Sequence, residues 1–203
     1  MALRIMRMTG TSADAEALVD AARILRSGGL VAFPTETVYG LGADATNPTA
    51  IARLTHVKGR PPDKPYSLHL YSTEQLHGFV QSIPQRAQRL IDRFWPGPLT
   101  IILPSKDGAT IGFRFPDHPV ARAFLTACDV AVAAPSANRS GAPPPTDAQE
   151  VLDALDGTID GLIDDGPTPL GRESTVVEVV GDRVEIHREG AIPKQAVLAA
   201  AQP

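Results

Sequence analysis

Apolar and basic positions alternate through Leu3 to Met8 (L-R-I-M-R-M), a period of two that predicts a first strand. The period then lengthens. Ala15, Leu18, Val19, Ala22 and Leu25 share one helical face, with Thr11 or Ser12 as the cap and Gly28-Gly29 as the stop. Leu30 to Phe33 is a short, wholly apolar strand. Asn47-Pro48 opens a second helix that runs to about Val57, with proline at the first helical position. Tyr66 to Tyr71 alternates as a strand, and Thr73 to Val80 and Pro84 to Phe94 carry helical spacing. The sharp W-P-G-P turn leads into a strand at Leu99 to Leu103, and Thr110 to Phe115 is the next. Asp117 caps a helix through about Ala127, and Val130 to Ala134 is a buried strand ended by Pro135. Thr146 and Gln149 read as a capping box. Ile159 to Ile163, Thr175 to Val180 and Arg183 to Arg188 complete the strands, with Gly181-Asp182 as a hairpin turn and a last helix after Pro193. Strands interleaved with helices, plus two hairpins, predict an α/β protein with a mixed sheet flanked by helices.

Composition narrows this picture. A chain of 203 residues supports one full core, and a single catalytic domain over 1–203 is the expectation. The net charge of −4 excludes a general polyanion binder. The one cysteine, Cys128, has no internal disulfide partner, which fits a reducing cytoplasm. The N-terminus lacks the apolar core of a signal peptide, and no apolar run is long enough to span a bilayer. The 19 prolines and 17 glycines gather at element junctions, the mark of shaped loops on a rigid scaffold.

The candidate chemistry concentrates in Phe33 to His69. An apolar strand runs into Thr35, Glu36 and Thr37; Lys58 and Arg60 follow two residues apart, then a proline-stiffened turn and His69. Hydroxyls, a carboxylate and cations beside a strand end suit an anionic, hydrogen-bonding ligand. Ser136 and Asn138, in A-P-S-A-N-R-S-G, lie just past another strand, at the kind of junction where ligand groups collect. Two cations with a hydroxyl and an amide can hold a phosphate chain. Taken alone, each pair is equally well read as a solvated helix end or a turn. Arg114 stands in an otherwise apolar strand, where it requires a partner: Glu36 or a ligand carboxylate. Arg188 ends a strand, and Gly171 to Thr175 opens one with a polar loop.

Other devices are missing. The chain has no G-x-x-x-x-G-K-[ST], no G-x-G-x-x-G and no G-x-S-x-G around Ser136. His56, His69, His77, His118 and His187 lack metal-ligand spacing; His69, after the K-G-R-P turn, is a candidate ligand contact. A second reading is an RNA-binding module built on Lys58, Arg60, Lys64, Arg114, Arg139 and Arg188; the acidic balance and the lack of interleaved aromatics oppose it.

In order along the chain stand P-T-E-T-V-Y-G-L-G, K-G-R-P-x-x-x-P, W-P-G-P-L-T, F-R-x-P-D-H, A-P-S-A-N-R-S-G, E-S-T-V-V and R-E-G-A-I. Over about residues 14 to 193 the sequence thereby resembles the YrdC-like threonylcarbamoyl-AMP synthases. The resemblance implies a twisted mixed β-sheet flanked by helices around a large open cavity. It implies a nucleotidyltransferase that converts L-threonine, bicarbonate or CO2, and ATP into threonylcarbamoyl-AMP and pyrophosphate. The product is the donor for N6-threonylcarbamoyladenosine in tRNA. Mg2+ is the implied companion of the ATP, and a tRNA threonylcarbamoyl transferase complex is the implied acceptor of the product. A weak tRNA contact is allowed, no membrane contact is implied, and a relative acting on another carbamoyl acceptor is the remaining alternative. By resemblance, Lys58, Arg60, Ser136 and Asn138 form the catalytic set. Arg60, Lys64, Thr110, Ser136, Pro144 and Arg188 contact ATP, while Thr37, His69, Arg114 and Ser174 hold threonine, with Thr35 and Ala134 adjoining. Lys64, Pro144 and Arg172 replace the family's usual asparagine, serine and apolar residue. Some relatives carry a further C-terminal domain, which a chain of this length is expected to lack.

Overall fold

The computed structural model describes residues 3–61 and 65–202. Ten strands form one mixed sheet: β1 (Arg4–Arg7), β2 (Val31–Phe33), β3 (Gly40–Asp44), β4 (Leu68–His69), β5 (Leu99–Pro104), β6 (Thr110–Arg114), β7 (Val132–Ala133), β8 (Gly161–Asp164), β9 (Thr175–Val180) and β10 (Arg183–Arg188). Their spatial order is β1-β8-β2-β3-β7-β4-β6-β5-β9-β10. Seven helices accompany them among the described residues: α1 (Ala13–Arg26), α2 (Pro48–Lys58), α3 (Leu76–Phe79), α4 (Gln85–Phe94), α5 (Pro119–Cys128), α6 (Ala148–Leu155) and α7 (Lys194–Ala200). None of them is long and apolar enough to cross a membrane.

Strand β2 shows how the sheet is buried. Leu30 and Ala32 point into a core shared with Leu54, Leu90, Leu99 and Phe113, while Val31 and Phe33 point into a second core with Leu18, Leu25, Phe124 and Leu125. Alternate residues of an all-apolar strand thus serve opposite faces, as both-sided burial requires.

Strand β3 has no counterpart in the sequence-based reading. Gly40 to Asp44 (G-L-G-A-D) contains no β-branched residue and reads as loop, yet all five residues are buried. Its glycines make room for neighbours. A Cβ on Gly40 would lie 3.3 Å from the Phe33 ring, and one on Gly42 would lie 3.2 Å from both Leu25 and Val132. Strand β4 is shorter than the expected Tyr66 to Tyr71, because only Leu68 and His69 are flanked on both sides, by β7 and β6. The expected helix over Thr73 to Val80 begins as a 3-10 turn, Thr73–Gln75.

Three caps also differ from expectation. Neither Thr11 nor Ser12 caps α1; the Asp14 carboxylate accepts from the backbone N–H of Thr9 (3.0 Å) and of Gly10 (2.8 Å). His118, not Asp117, caps α5, and Asp147 caps α6 by accepting from Glu150 N–H at 2.8 Å. In α5 and α6 a neighbouring side chain reaches the free N–H groups better than the one chosen by local pattern, while in α1 Asp14 ties down the segment that precedes the helix.

Candidate functional site

The middle of the sheet assembles the site. Strand β4 runs parallel to β6 with His69 opposite Arg114, and antiparallel to β7 with His69 opposite Val132. The chain leaves β7 through Ala134 and Pro135 to Ser136, which bridges back to Gly40. A cavity of about 710 Å³ opens where these strands meet the paired strands β5 and β9. Thr35, His69, Arg114, Ala134 and Ser174 line it, as do Arg60, Thr110, Ser136 and Arg188. Thr37, Lys58, Asn138 and Pro144 stand outside that lining, and Lys64 lies outside the described residues.

Arg114 is buried, at 5 % exposure, and pairs with the equally buried Glu36 at 2.9 Å. Its Nη2 also donates to Thr37 Oγ1 at 2.7 Å. Thr37 Oγ1 in turn lies 2.9 Å from Thr35 Oγ1. Thr37 therefore reaches the cavity through Arg114 instead of lining it. Arg114 Nε has no hydrogen-bond partner among the described residues. Burial, reinforced by Arg114, holds the His69 imidazole well below its ordinary pKa, so it is neutral at pH 7. Its Nδ1 is buried and unpartnered among the described residues. Two unpaired buried nitrogens on adjacent strands, beside a cavity, are what a ligand's oxygens would satisfy.

Lys58 departs from its expected place at the phosphates. The α2 helix ends on Gly59, in the left-handed conformation at φ 59°, and Lys58 points inward at 3 % exposure. Its Nζ donates to Ser136 O (2.6 Å), to Asn138 O and to Asn138 Oδ1 (3.2 Å). All three ammonium protons are used. Asn138 Nδ2 meanwhile donates to the carbonyls of Arg139 (3.1 Å) and Ala142 (2.5 Å). Lysine and asparagine thus clamp the 136–142 loop from within, which fixes Ser136 at the cavity wall.

Burial, then the charge of Arg60, pulls the Lys58 pKa from 10.5 to about 8. The folded value lies below the unfolded one, so the unfolded chain binds the extra proton between about pH 8 and 10.5. Wild-type stability should therefore rise relative to Lys58→Met across that window, by up to about 1.4 kcal/mol per pH unit. Urea midpoints at several pH values check this; a pH-independent difference would count against a buried, strained ammonium.

Arg60 lines the cavity with its guanidinium 4.9 Å from the Tyr66 ring centroid, and its Nη2 donates to Pro65 O at 3.0 Å. Arg188 donates from Nη1 to Glu173 at 2.6 Å and from Nε and Nη2 to Ser174 O at 3.1 and 3.0 Å. Ser174 Oγ lies 2.8 Å from Thr100 Oγ1. Of the cations in the RNA reading, Arg139 is exposed and stands outside the cavity lining. Pro144 is half-buried, and it is its neighbour Pro145 that acts locally, its carbonyl accepting from Tyr39 N–H at 2.9 Å.

Tyr39, Tyr66, Ser67, Thr100, Glu173 and His187 also line the cavity without having been predicted as site residues. Tyr39 and Glu173 carried a signal, being part of the quoted motifs. Thr100 carried one too, as the last residue of W-P-G-P-L-T, whereas Ser67 carried none, because a hydroxyl inside a strand pattern is ordinary.

Comparison with known proteins bears on this arrangement. A family model for Sua5, YciO and YrdC, described as "Telomere recombination", matches residues 23–190. The Bacillus subtilis threonylcarbamoyl-AMP synthase is 44% identical over 196 residues, which cover 92% of this chain and 57% of the relative. The Halorhodospira halophila threonylcarbamoyl-AMP synthase is 38% identical over 167 residues, 74% of this chain and 86% of the relative. The crystal structure of P. abyssi Sua5 complexed with L-threonine superposes with a TM-score of 0.90 at 38% identity, over 98% of this chain and 61% of that one. The chain spans little more than half the length of the first curated relatives it matches, at 57%, 55% and 52%. The motifs, the sheet around its cavity and these likenesses agree, and the chain belongs to the Sua5/YciO/YrdC family.

Proposed function

We propose that this chain makes L-threonylcarbamoyl adenylate and pyrophosphate from L-threonine, bicarbonate or CO2, and ATP. One observation carries the reading: Arg114 and His69, each with an unpaired buried nitrogen, line the same cavity as Arg60, Ser136 and Arg188. A carboxylate-and-hydroxyl subsite adjoining a cationic one suits an amino acid next to a nucleotide. The relatives' names and the threonine held by the P. abyssi structure point the same way.

In this reading Arg114 receives the threonine carboxylate, and neutral His69 meets the side-chain hydroxyl. The amine adds to the carbon of the one-carbon unit to give a carbamate. The ammonium first gives one proton to bicarbonate or to solvent; with bicarbonate the amine's next proton leaves with the displaced hydroxide as water, and with CO2 it passes to solvent or to the substrate itself. A carbamate oxygen then attacks the α-phosphorus, the bond to the β-phosphate oxygen breaks, and pyrophosphate departs. Arg60 and Ser136 hold the phosphates, with Arg188 at the nucleotide. Lys58 acts through the loop it clamps and touches no substrate. Catalysis is positioning plus charge neutralisation.

Mg2+ fits as the nucleotide's companion and not as a resident of the protein. Among the described residues Glu173 is the carboxylate at the cavity wall, and it is already paired with Arg188. The ion's remaining ligands would be phosphate oxygens and water. The adenylate would pass to a tRNA threonylcarbamoyl transferase complex in the cytoplasm. The RNA-module reading loses ground because Lys58, one of its cations, is spent on protein acceptors, and Arg139, another, stands outside the cavity lining.

The direct test is mass spectrometry of a mixture of protein, ATP, L-threonine and bicarbonate. Threonylcarbamoyl adenylate should form only when all three substrates are present. A folded protein that yields none, while retaining salt-dependent tRNA binding, would transfer support to the RNA-binding module.

A further inference from the structure

Glu36 has no place in the reaction as drawn, yet it is the most unusual carboxylate in the molecule. It is buried at 6 % exposure, and both side-chain oxygens lack a hydrogen bond among the described residues. Its ion pair with Arg114, 2.9 Å long, is what balances its charge. His118, the nearby histidine, is kept below its ordinary pKa by burial, so it adds no positive charge at neutral pH. Glu36 does not line the cavity, whereas Arg114 does. A carboxylate placed behind the substrate-facing cation, and otherwise unsolvated, constrains what that cation accepts.

We propose that Glu36 is the resting counterion of Arg114 and makes the subsite selective for a zwitterion over a simple carboxylate. The inference rests on the reading of the cavity as an amino-acid site. Without ligand, Glu36 and Arg114 sum to zero. An incoming carboxylate must share one guanidinium with Glu36 and adds an uncompensated negative charge to a buried pair. An α-amino acid arrives as a zwitterion, and its ammonium group offsets that charge. Glu36 thus repels acids that lack the amine, which are the substrates from which no carbamate can form. Its backbone carbonyl accepts from Leu170 N–H at 2.9 Å, so the carboxylate is held in place from the chain side as well.

The experiment is calorimetric titration of wild type, Glu36→Gln and Glu36→Asp with L-threonine and with 3-hydroxybutyrate, which keeps the hydroxyl and carboxylate but has no amine. Wild type should bind threonine at least about tenfold more tightly than 3-hydroxybutyrate. In Glu36→Gln, 3-hydroxybutyrate should bind more tightly than it does to wild type, and the ratio should fall to about threefold or less. Glu36→Asp, which keeps the charge, should keep most of the ratio. An unchanged ratio in Glu36→Gln, or an equal weakening of both ligands, would reduce Glu36 to a structural role. If Glu36→Gln does not fold, wild type still decides: equal binding of the two ligands overturns the proposal. A wild type that binds neither ligand and forms no adenylate overturns the amino-acid reading itself.

Discussion

Arg114→Met should remove threonine-dependent pyrophosphate release by about a thousandfold or more, since it deletes the charge-assisted contact that holds the substrate carboxylate. It should also destabilise the fold. Glu36 would remain buried with neither a counterion nor a hydrogen bond, a loss of about 3–5 kcal/mol. Thr37 Oγ1 would lose its donor as well, keeping only its contact with Thr35. The double variant Glu36→Met/Arg114→Met should recover much of that stability, because an apolar pair of similar volume replaces a desolvated ion pair. It should recover no activity. Urea unfolding and a pyrophosphate assay separate the two effects. If Arg114→Met retained activity within tenfold, or if the double variant were no more stable than the single one, the roles assigned to this pair would be wrong.

Arg60→Ala should lower adenylate formation by about a hundred- to a thousandfold, the range for losing one preorganised charge on a transferring phosphoryl group. L-threonine binding without ATP should stay within about threefold, since Arg60 belongs to the other end of the cavity chemistry. The side chain is half-buried, stacked on Tyr66 and tied to Pro65 O, with Nε unpartnered among the described residues. Arg60→Lys should restore only part of the loss. An ammonium supplies the charge but neither the planar fork nor the same stacking on Tyr66. Steady-state kinetics in ATP together with threonine calorimetry read both quantities. Threonine affinity that fell in step with turnover would place Arg60 in the amino-acid subsite and redraw the cavity.

Both predictions depend on partners that the sequence offered only as alternatives. An arginine in an apolar strand demanded a counter-charge, and Glu36 and a ligand carboxylate were equally available. The structure pairs Arg114 with Glu36 and leaves Arg114 at the cavity wall; the proposed function adds the ligand carboxylate to that pair. Lys58 went the other way. Its spacing from Arg60 suggested twin phosphate ligands, but the left-handed Gly59 separates their directions. One turns into the loop carbonyls and the other into the cavity.

What the sequence determined by itself was local. The proline and asparagine that start α2, the periodicity of α1 and α4, the β9–β10 turn and the ordered motifs all act over a few residues, and each was legible there. The tertiary structure decided whatever depends on partners distant in the chain. Strand β3 exists because Phe33, Leu25 and Val132 close over glycines whose own pattern says nothing. His69 meets Arg114 because β4 pairs with β6 in one register and not the next. A shift of β4 by one residue in that pairing would turn His69 to the face opposite Arg114. Side-chain type fixes what a residue can bind; strand register fixes what it meets.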